Sequence, residues 1–284
     1  MIAQLLRIAT TLIPLVGVVA CSNSPPPSPV PRPRTSTAPA RAVVLLRNDW
    51  RATVTMLRSD SLVLTLPNGS QQLQRVGRSA RFTVEVGSNN AFIATLDSLA
   101  LQPPSGAMAE AIGTRWTGRV SGAGRIEGLR ISRPSGLGDD LTATVRSLIP
   151  LVPFTGMPVG RSWKDTTSGS VQVEVFRANE QRVRTWTAGE RTDRNGIPVY
   201  PVRVHEEFEQ LGRGSQGGRE MTMTAQGSRT GNYYMTLDGR VDGAVFQDSI
   251  AQFITIPAAK QTVPTMRYSR TTLRFATSPR GDRP

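Results

Sequence analysis

From Arg41 onward, apolar and polar residues alternate in short runs separated by turn residues, a period of two that predicts half-buried antiparallel strands. Leu62, Leu64 and Leu66 share one side of such a run. Phe82, Val84 and Val86 alternate with Arg81, Thr83 and Glu85, and Val171, Val173 and Val175 alternate with Gln172 and Glu174. Further along, Tyr200, Val202, Val204 and Phe208 oppose Arg203, His205, Glu207 and Glu209, while Met221 and Met223 oppose Glu220, Thr222 and Thr224. The joints fall at Pro67-Asn68-Gly69, Asn195-Gly196, Asp238-Gly239 and Asp242-Gly243, where Gly, Asn and Asp accept the positive φ of tight hairpins. One segment breaks the rhythm. Asp139 and Asp140 precede Leu141, Val145, Leu148 and Ile149 at helical spacing, with the acids suited to a helix start and Pro150 and Pro153 as the stop. The expectation for residues 42–284 is one mainly β domain, a curved antiparallel sheet with a central helix of about three turns and room for one further short helix.

The N-terminal segment has a different texture. Met1 to Arg7 carries one positive charge, Ile8 to Val19 is apolar except for Thr and Pro14, and the run is too short for a span of about 20 apolar residues. It ends in Val18-Val19-Ala20-Cys21, which resembles the bacterial lipobox, with Val18 where leucine is more usual. The resemblance implies a signal peptide over 1–20, cleavage after Ala20, and diacylglycerol and an N-terminal acyl group such as palmitate on Cys21. Each buried methylene of those chains adds about 0.8 kcal/mol of membrane affinity. Residues 21–41 then read as a tether, since Pro25, Pro26, Pro27, Pro29, Pro31, Pro33 and Pro39 lie among Ser, Thr and Arg. Proline-rich chain extends by about 3.1 Å per residue, which gives this tether a reach of about 60 Å. Ser22 in place of aspartate resembles the signal for sorting to the outer membrane.

A second resemblance rests on Leu151-Val-Pro-Phe-Thr-Gly-Met-Pro-Val-Gly-Arg-Ser-Trp163, a proline-rich bridge leading into Val-Gly-x-x-Trp. Together with lipobox, tether, strands and helix, it is similar to a family of uncharacterised secreted bacterial lipoproteins. These in turn look like distant relatives of the periplasmic lipoprotein-carrier half-barrels. That likeness implies a half-barrel-like sheet wrapped over an apolar cavity; a β-sandwich or a closed barrel is the alternative.

Composition narrows the chemistry. The 284 residues include one Cys and one His, which rules out a disulfide-stapled domain and a multi-cysteine zinc site. There is no Gly-x-Ser-x-Gly elbow and no Ser-x-x-Lys. His205 with Glu207 on the same strand face is the most visible base, and alternation puts it on the wet face beside Arg203 and Glu209, so no catalytic residue is assigned. Asp238-x-x-x-Asp242 lacks the calcium-loop pattern and reads as two hairpin turns, so no metal is expected. Gly212-Arg-Gly214-Ser-Gln-Gly217-Gly218 lacks the Lys-Ser/Thr of a phosphate loop and reads as a flexible hairpin loop. Glu206, Glu207 and Glu209 form the densest acidic cluster and read as a solvated strand edge. No cofactor is expected.

The net charge is +13, and signal cleavage removes only Arg7 from its basic side. Lys164 and Lys260 are the only lysines, and arginine's planar fork suits carboxylate and phosphate. Contacts with lipid headgroups or an anionic envelope polymer follow. Nucleic acid does not, because few exposed-looking aromatics are interleaved with the arginines, no recognised binding motif is present, and the lipobox directs the chain out of the cytoplasm. Met221, Met223, Tyr233 and Met235 are candidates for an adaptable apolar pocket, or else core. The expected function is that of a non-catalytic, membrane-anchored periplasmic lipoprotein, in the outer membrane and facing the periplasm, that binds a hydrophobic or amphiphilic envelope component. The alternative is an interaction subunit of an envelope complex that uses its arginine-rich surface.

Overall fold

The computed structural model describes residues 43–277, apart from positions 67, 107, 154 and 174. The strands are β1 (Val43–Val44), β2 (Trp50–Thr65), β3 (Gln71–Val86), β4 (Ala91–Gln102), β5 (Arg115–Val120), β6 (Ile126–Ile131) and β7 (Met157–Pro158). They continue with β8 (Ser162–Val173), β9 (Phe176–Ala188), β10 (Thr192–Arg194), β11 (Ile197–Gln216), β12 (Arg219–Thr236), β13 (Val241–Ile256) and β14 (Gln261–Thr277). The helices are α1 (Met108–Ala111) and α2 (Gly136–Arg146), with a 3₁₀ turn at Pro257–Ala259.

Twelve strands make one curved antiparallel sheet in the order β6-β5-β4-β3-β2-β14-β13-β12-β11-β9-β8, with β10 paired to β11. It consists of two meanders, β2 to β6 and β8 to β14, joined where β14 pairs with β2. β6 and β8 end this order without pairing to each other, although Arg125 beside β6 reaches Asp165 of β8 at 2.8 Å, so the sheet is an unclosed, half-barrel-like structure rather than a sandwich or a closed barrel. Residues 132–161, which carry α2, connect those two edges.

Period-two alternation gives each strand an inner and an outer face. Val54, Met56, Phe82, Val84, Phe92, Leu96 and Trp116 point inward from the first meander, and Trp186, Val202, Val204, Tyr233 and Phe246 from the second. Leu141 and Val145 of α2, followed by Leu148, Ile149, Val152 and Met157 of the bridge, pack into the same cluster. The inner face at this end is therefore filled. The cavity lined by Leu46, Trp50, Val86, Val120, Ile149 and Val241 measures about 10 Å³, room for about one water.

The helix begins earlier than the aspartates suggest. Ser135 is its N-cap, with Oγ accepting from the Gly138 N–H at 3.1 Å, and Asp139 and Asp140 are its fourth and fifth residues. Two glycines hid this start. At Gly138 a Cβ would sit 2.9 Å from Ile131 Cδ1, so the glycine lets the first turn lie close to β6. The far end stops at Ser147, before Pro150, and the Tyr233 hydroxyl donates to the Ser147 carbonyl at 2.8 Å.

The Val-Gly-x-x-Trp segment ties the bridge to the sheet. Gly160 takes φ +71° and donates its N–H to Ala188 O at 2.9 Å. Trp163 stacks on Trp186 at 6.2 Å between ring centroids, and its Nε1 donates to Leu151 O at 3.3 Å. Trp186, Tyr233 and Phe246 continue the aromatic chain at 5.8 and 5.0 Å.

At three places the strands run differently from the local pattern. β8 ends at Val173, so Val175 is an exposed turn residue rather than part of the alternation. Asp242-Gly243 lies inside β13 and is not a joint: the hairpin closes between Thr236 and Arg240, and Asp242 falls at the register shift between the Met235–Val241 and Tyr234–Gly243 pairs. Gly212 to Gln216 belong to β11, leaving only Gly217-Gly218 in the turn. Replacing the fully buried Leu148 by alanine is expected to cost about 2–5 kcal/mol. Leu57→Ser on the exposed outer face should stay within about 0.5 kcal/mol, and urea unfolding of the two variants separates core from surface.

Candidate binding site

Halfway along the strands, the inner face changes from apolar to ionic. Asp165 of β8, Arg184 of β9, Glu206 of β11, Arg229 of β12, Asp248 of β13, Ser269 of β14 and Asp60 of β2 are successive cross-strand partners in one row. From Asp165 to Asp248 the charges alternate in sign. Arg184 bridges Asp165 at 3.0 Å and Glu206 at 2.7 Å, Arg182 also pairs with Glu206, and Arg229 pairs with Asp248. Ser269 donates to Asp60, which also takes Arg58 at 2.9 Å. Arg78, one row over on β3, reaches Asp60 and Asp140 of α2, which links the helix to this belt.

Glu206 is therefore no solvated edge residue. It stands in the apolar phase of a central strand, 4% exposed, with Val204 and Phe208 on either side. Burial pushes its carboxyl up, but Arg182, Arg229 and Arg184 together outweigh that and hold it below the usual range. Glu180 follows the same logic: burial opposes, while Arg182 and a hydrogen bond from Gln210 at 2.7 Å lower it further. Burial raises the Tyr233 hydroxyl, which stays neutral as the donor to the helix end.

Beyond the belt lies a second apolar cluster, formed by Phe176, Ala178, Met221 and Met223 with Val171, Val173, Ile254 and Ile256 against it. Phe176 and Met223 converge over Gly212, where an added Cβ would meet both at 3.2 Å. Close packing, not a phosphate, accounts for that glycine. The four pocket candidates are thus divided by the belt: Met221 and Met223 belong to this second cluster, Tyr233 and Met235 to the first. All four are buried.

The open concavity is on the other side of the sheet. A groove of about 420 Å³ crosses β12, β13, β14 and β2, within the size range of ordinary ligand sites. Two cross-strand rows line it. One runs Thr230, Gln247, Arg270, Ser59; the other runs Ser228, Ser249, Tyr268, Ser61. Its cause is visible in the residue types, since serine and threonine at most outer positions leave a trough where longer side chains would fill the face. Tyr268, half-exposed, stands between Ser61 and Ser249. Asp248 and Ser269, whose side chains turn inward to the belt, complete the lining.

His205 and Glu207 continue these two rows on β11, 3.4 Å apart and exposed. Asp238 caps its own hairpin, taking Thr236 and Arg240 as well as Arg47 at 2.9 Å. Among the described residues no group of three or more His, Cys, Asp or Glu is placed to hold a metal ion, and no helix is long and apolar enough to cross a membrane. Cys21, Ala20 and the proline-rich segment lie outside the described residues. In comparison with known proteins, the chain matches no protein-family model and no curated protein.

The lowered carboxyls fix the sign of a pH effect. An unfolded Glu titrates near pH 4.3. Glu180 and Glu206 therefore contribute stability that is fully present above that value and lost as pH falls through their lower folded values. Urea midpoints at pH 7 and pH 3 are expected to differ in that direction. Glu206→Gln, which leaves Arg182 and Arg184 without their shared anion, should cost about 2–4 kcal/mol at pH 7 and shrink the difference.

Proposed function

We propose that this chain is a non-catalytic lipoprotein of the bacterial envelope, held on the membrane through Cys21, whose sheet binds an envelope component in its outer-face groove. The single observation that carries this reading is the contrast between the faces. The inner face, where a carrier half-barrel would hold an apolar ligand, is occupied by α2, the bridge and a second apolar cluster. The outer face offers the groove, lined by hydroxyls, an amide, a phenol ring and an arginine, with the one lining carboxylate, Asp248, turned inward to Arg229. Such a lining suits a polar ligand or the polar part of an amphiphile, rather than an acyl chain alone.

The anchoring rests on the sequence: an apolar N-terminal run, Val18-Val19-Ala20-Cys21, and a proline-rich tether. Likeness to the secreted lipoproteins with a Val-Gly-x-x-Trp segment supports the same compartment, with the outer membrane as the favoured site. The interaction-subunit reading keeps the same groove and changes only the partner. Its support is the surplus of arginine.

Full-length lipidated protein, purified in mild detergent, should cosediment with isolated envelope material from a Gram-negative bacterium. Tyr268→Ala combined with Arg270→Ala is expected to lower the retained fraction at least fivefold with an unchanged melting temperature. Retention that ignores the double variant, or none at all, would sink the proposal, and a stoichiometric crosslinked protein instead of envelope polymer would favour the subunit reading.

A further inference from the structure

The groove's charge and shape narrow its ligand further. Every residue along its two rows is an immediate chain neighbour of a belt residue: Ser59 and Ser61 flank Asp60, Ser228 and Thr230 flank Arg229, Gln247 and Ser249 flank Asp248, and Tyr268 and Arg270 flank Ser269. The inward neighbours are tied in pairs across the sheet, Arg229 to Asp248 and Ser269 to Asp60, and the ladder register sets the spacing of the outward ones. Adjacent strands lie about 4.8 Å apart, which repeats hydrogen-bonding side chains at that interval along a line perpendicular to the strands. A ligand that uses this line is elongated and presents polar groups repeatedly.

Belt arginines are neutralised, and the groove's arginine is not. Arg270 has no ion pair or side-chain hydrogen bond among the described residues, and its cross-strand neighbours are Ser59 and Gln247. Arg75 extends the other row at the β3 end as the partner of Ser61, whereas Glu207 stands at the β11 end as the partner of Ser228. The trough is thus positive toward β14 and β3, and negative at the opposite end. Tyr268 stands next to Arg270 on the same face, about 6.7 Å along the strand, with small serines on both flanks that leave its ring open.

A half-exposed aromatic ring, a free guanidinium and a run of hydroxyls and an amide are the means by which a protein surface holds a sugar chain that carries acids. The ring packs on the apolar side of a sugar, the amide and hydroxyls bond its oxygens, and the guanidinium forks onto a carboxylate or phosphate. Resting on the groove reading above, we infer that the ligand is an anionic polysaccharide laid across β12, β13, β14 and β2, with its acid group on Arg270 and a sugar ring against Tyr268.

The test is affinity electrophoresis of the full-length protein in detergent, with polygalacturonate as the anionic probe and dextran as the uncharged one. Polygalacturonate should retard the protein and dextran should not. Arg270→Gln is expected to weaken polygalacturonate binding at least tenfold and Tyr268→Ala at least fivefold. Arg274→Gln, an exposed arginine on the same strand outside the groove, should change it less than twofold. Equal losses in Arg270→Gln and Arg274→Gln would mean diffuse surface charge and overturn the inference, as would equal binding of dextran. If neither polymer binds while envelope material is still retained through Tyr268 and Arg270, this inference falls and the groove reading stands. If envelope retention is also insensitive to the groove, both fall.

Discussion

The alternation of charge along the row from Asp165 to Asp248 constrains the rest of the sheet. An antiparallel strand can slip by one residue or by two. A slip of one turns every inner side chain outward, and the loss of apolar burial prevents it. A slip of two keeps the faces correct and would go unpunished in a uniformly apolar sheet. Here it would move Arg229 from opposite Glu206 to opposite Val204 or Phe208, leaving charges buried without partners. The belt thus fixes register on strands of 12 to 20 residues, long enough for several registers to be sterically open.

Two further features follow from where the belt lies. It divides the inner face into two apolar regions, one filled by α2 and the bridge, the other closed by Phe176 and Met223 over Gly212. The small hydroxyl residues of the groove take the positions that alternate with it, on the opposite side of the sheet. The filled inner face, the ionic row and the trough behind it are three aspects of one arrangement of strands.

Local chemistry made much of this legible. Val202, Val204 and Phe208 announce β11 by period alone, Asn195-Gly196 announces its hairpin, and Leu141 and Val145 announce α2. What escaped depends on pairing between distant strands. Glu206 carries the one local clue to the belt, a carboxylate in the apolar phase of its strand, and it was masked by Glu207 and Glu209 beside it. Arg229 and Asp248 give the same clue in β12 and β13, but no local rule states that they face Glu206 and Ser269. The groove was less legible still. Ser59, Ser228, Ser249 and Tyr268 are unremarkable singly, and only the β14–β2 pairing brings them into one trough. Methionines 221, 223 and 235 share a phase, which by itself points to one pocket; the belt that separates them is invisible in that phase.

The pairing of β14 with β2 sets an order of events in the life of the chain. Asp60 and Ser269, which share a hydrogen bond at the centre of the sheet, are 209 positions apart. A ribosome or a translocation pore releases β2 long before its neighbour exists. During that interval the first meander presents an open edge of sixteen residues, and Asp60 lacks the Ser269 that joins it to the rest of the belt. Sheets assembled from such remote segments form slowly and expose pairing edges while they wait. A holding chaperone in the compartment of folding would find its binding site on that edge, and synthesis halted before the last strand would yield two half-sheets instead of a shortened version of the protein.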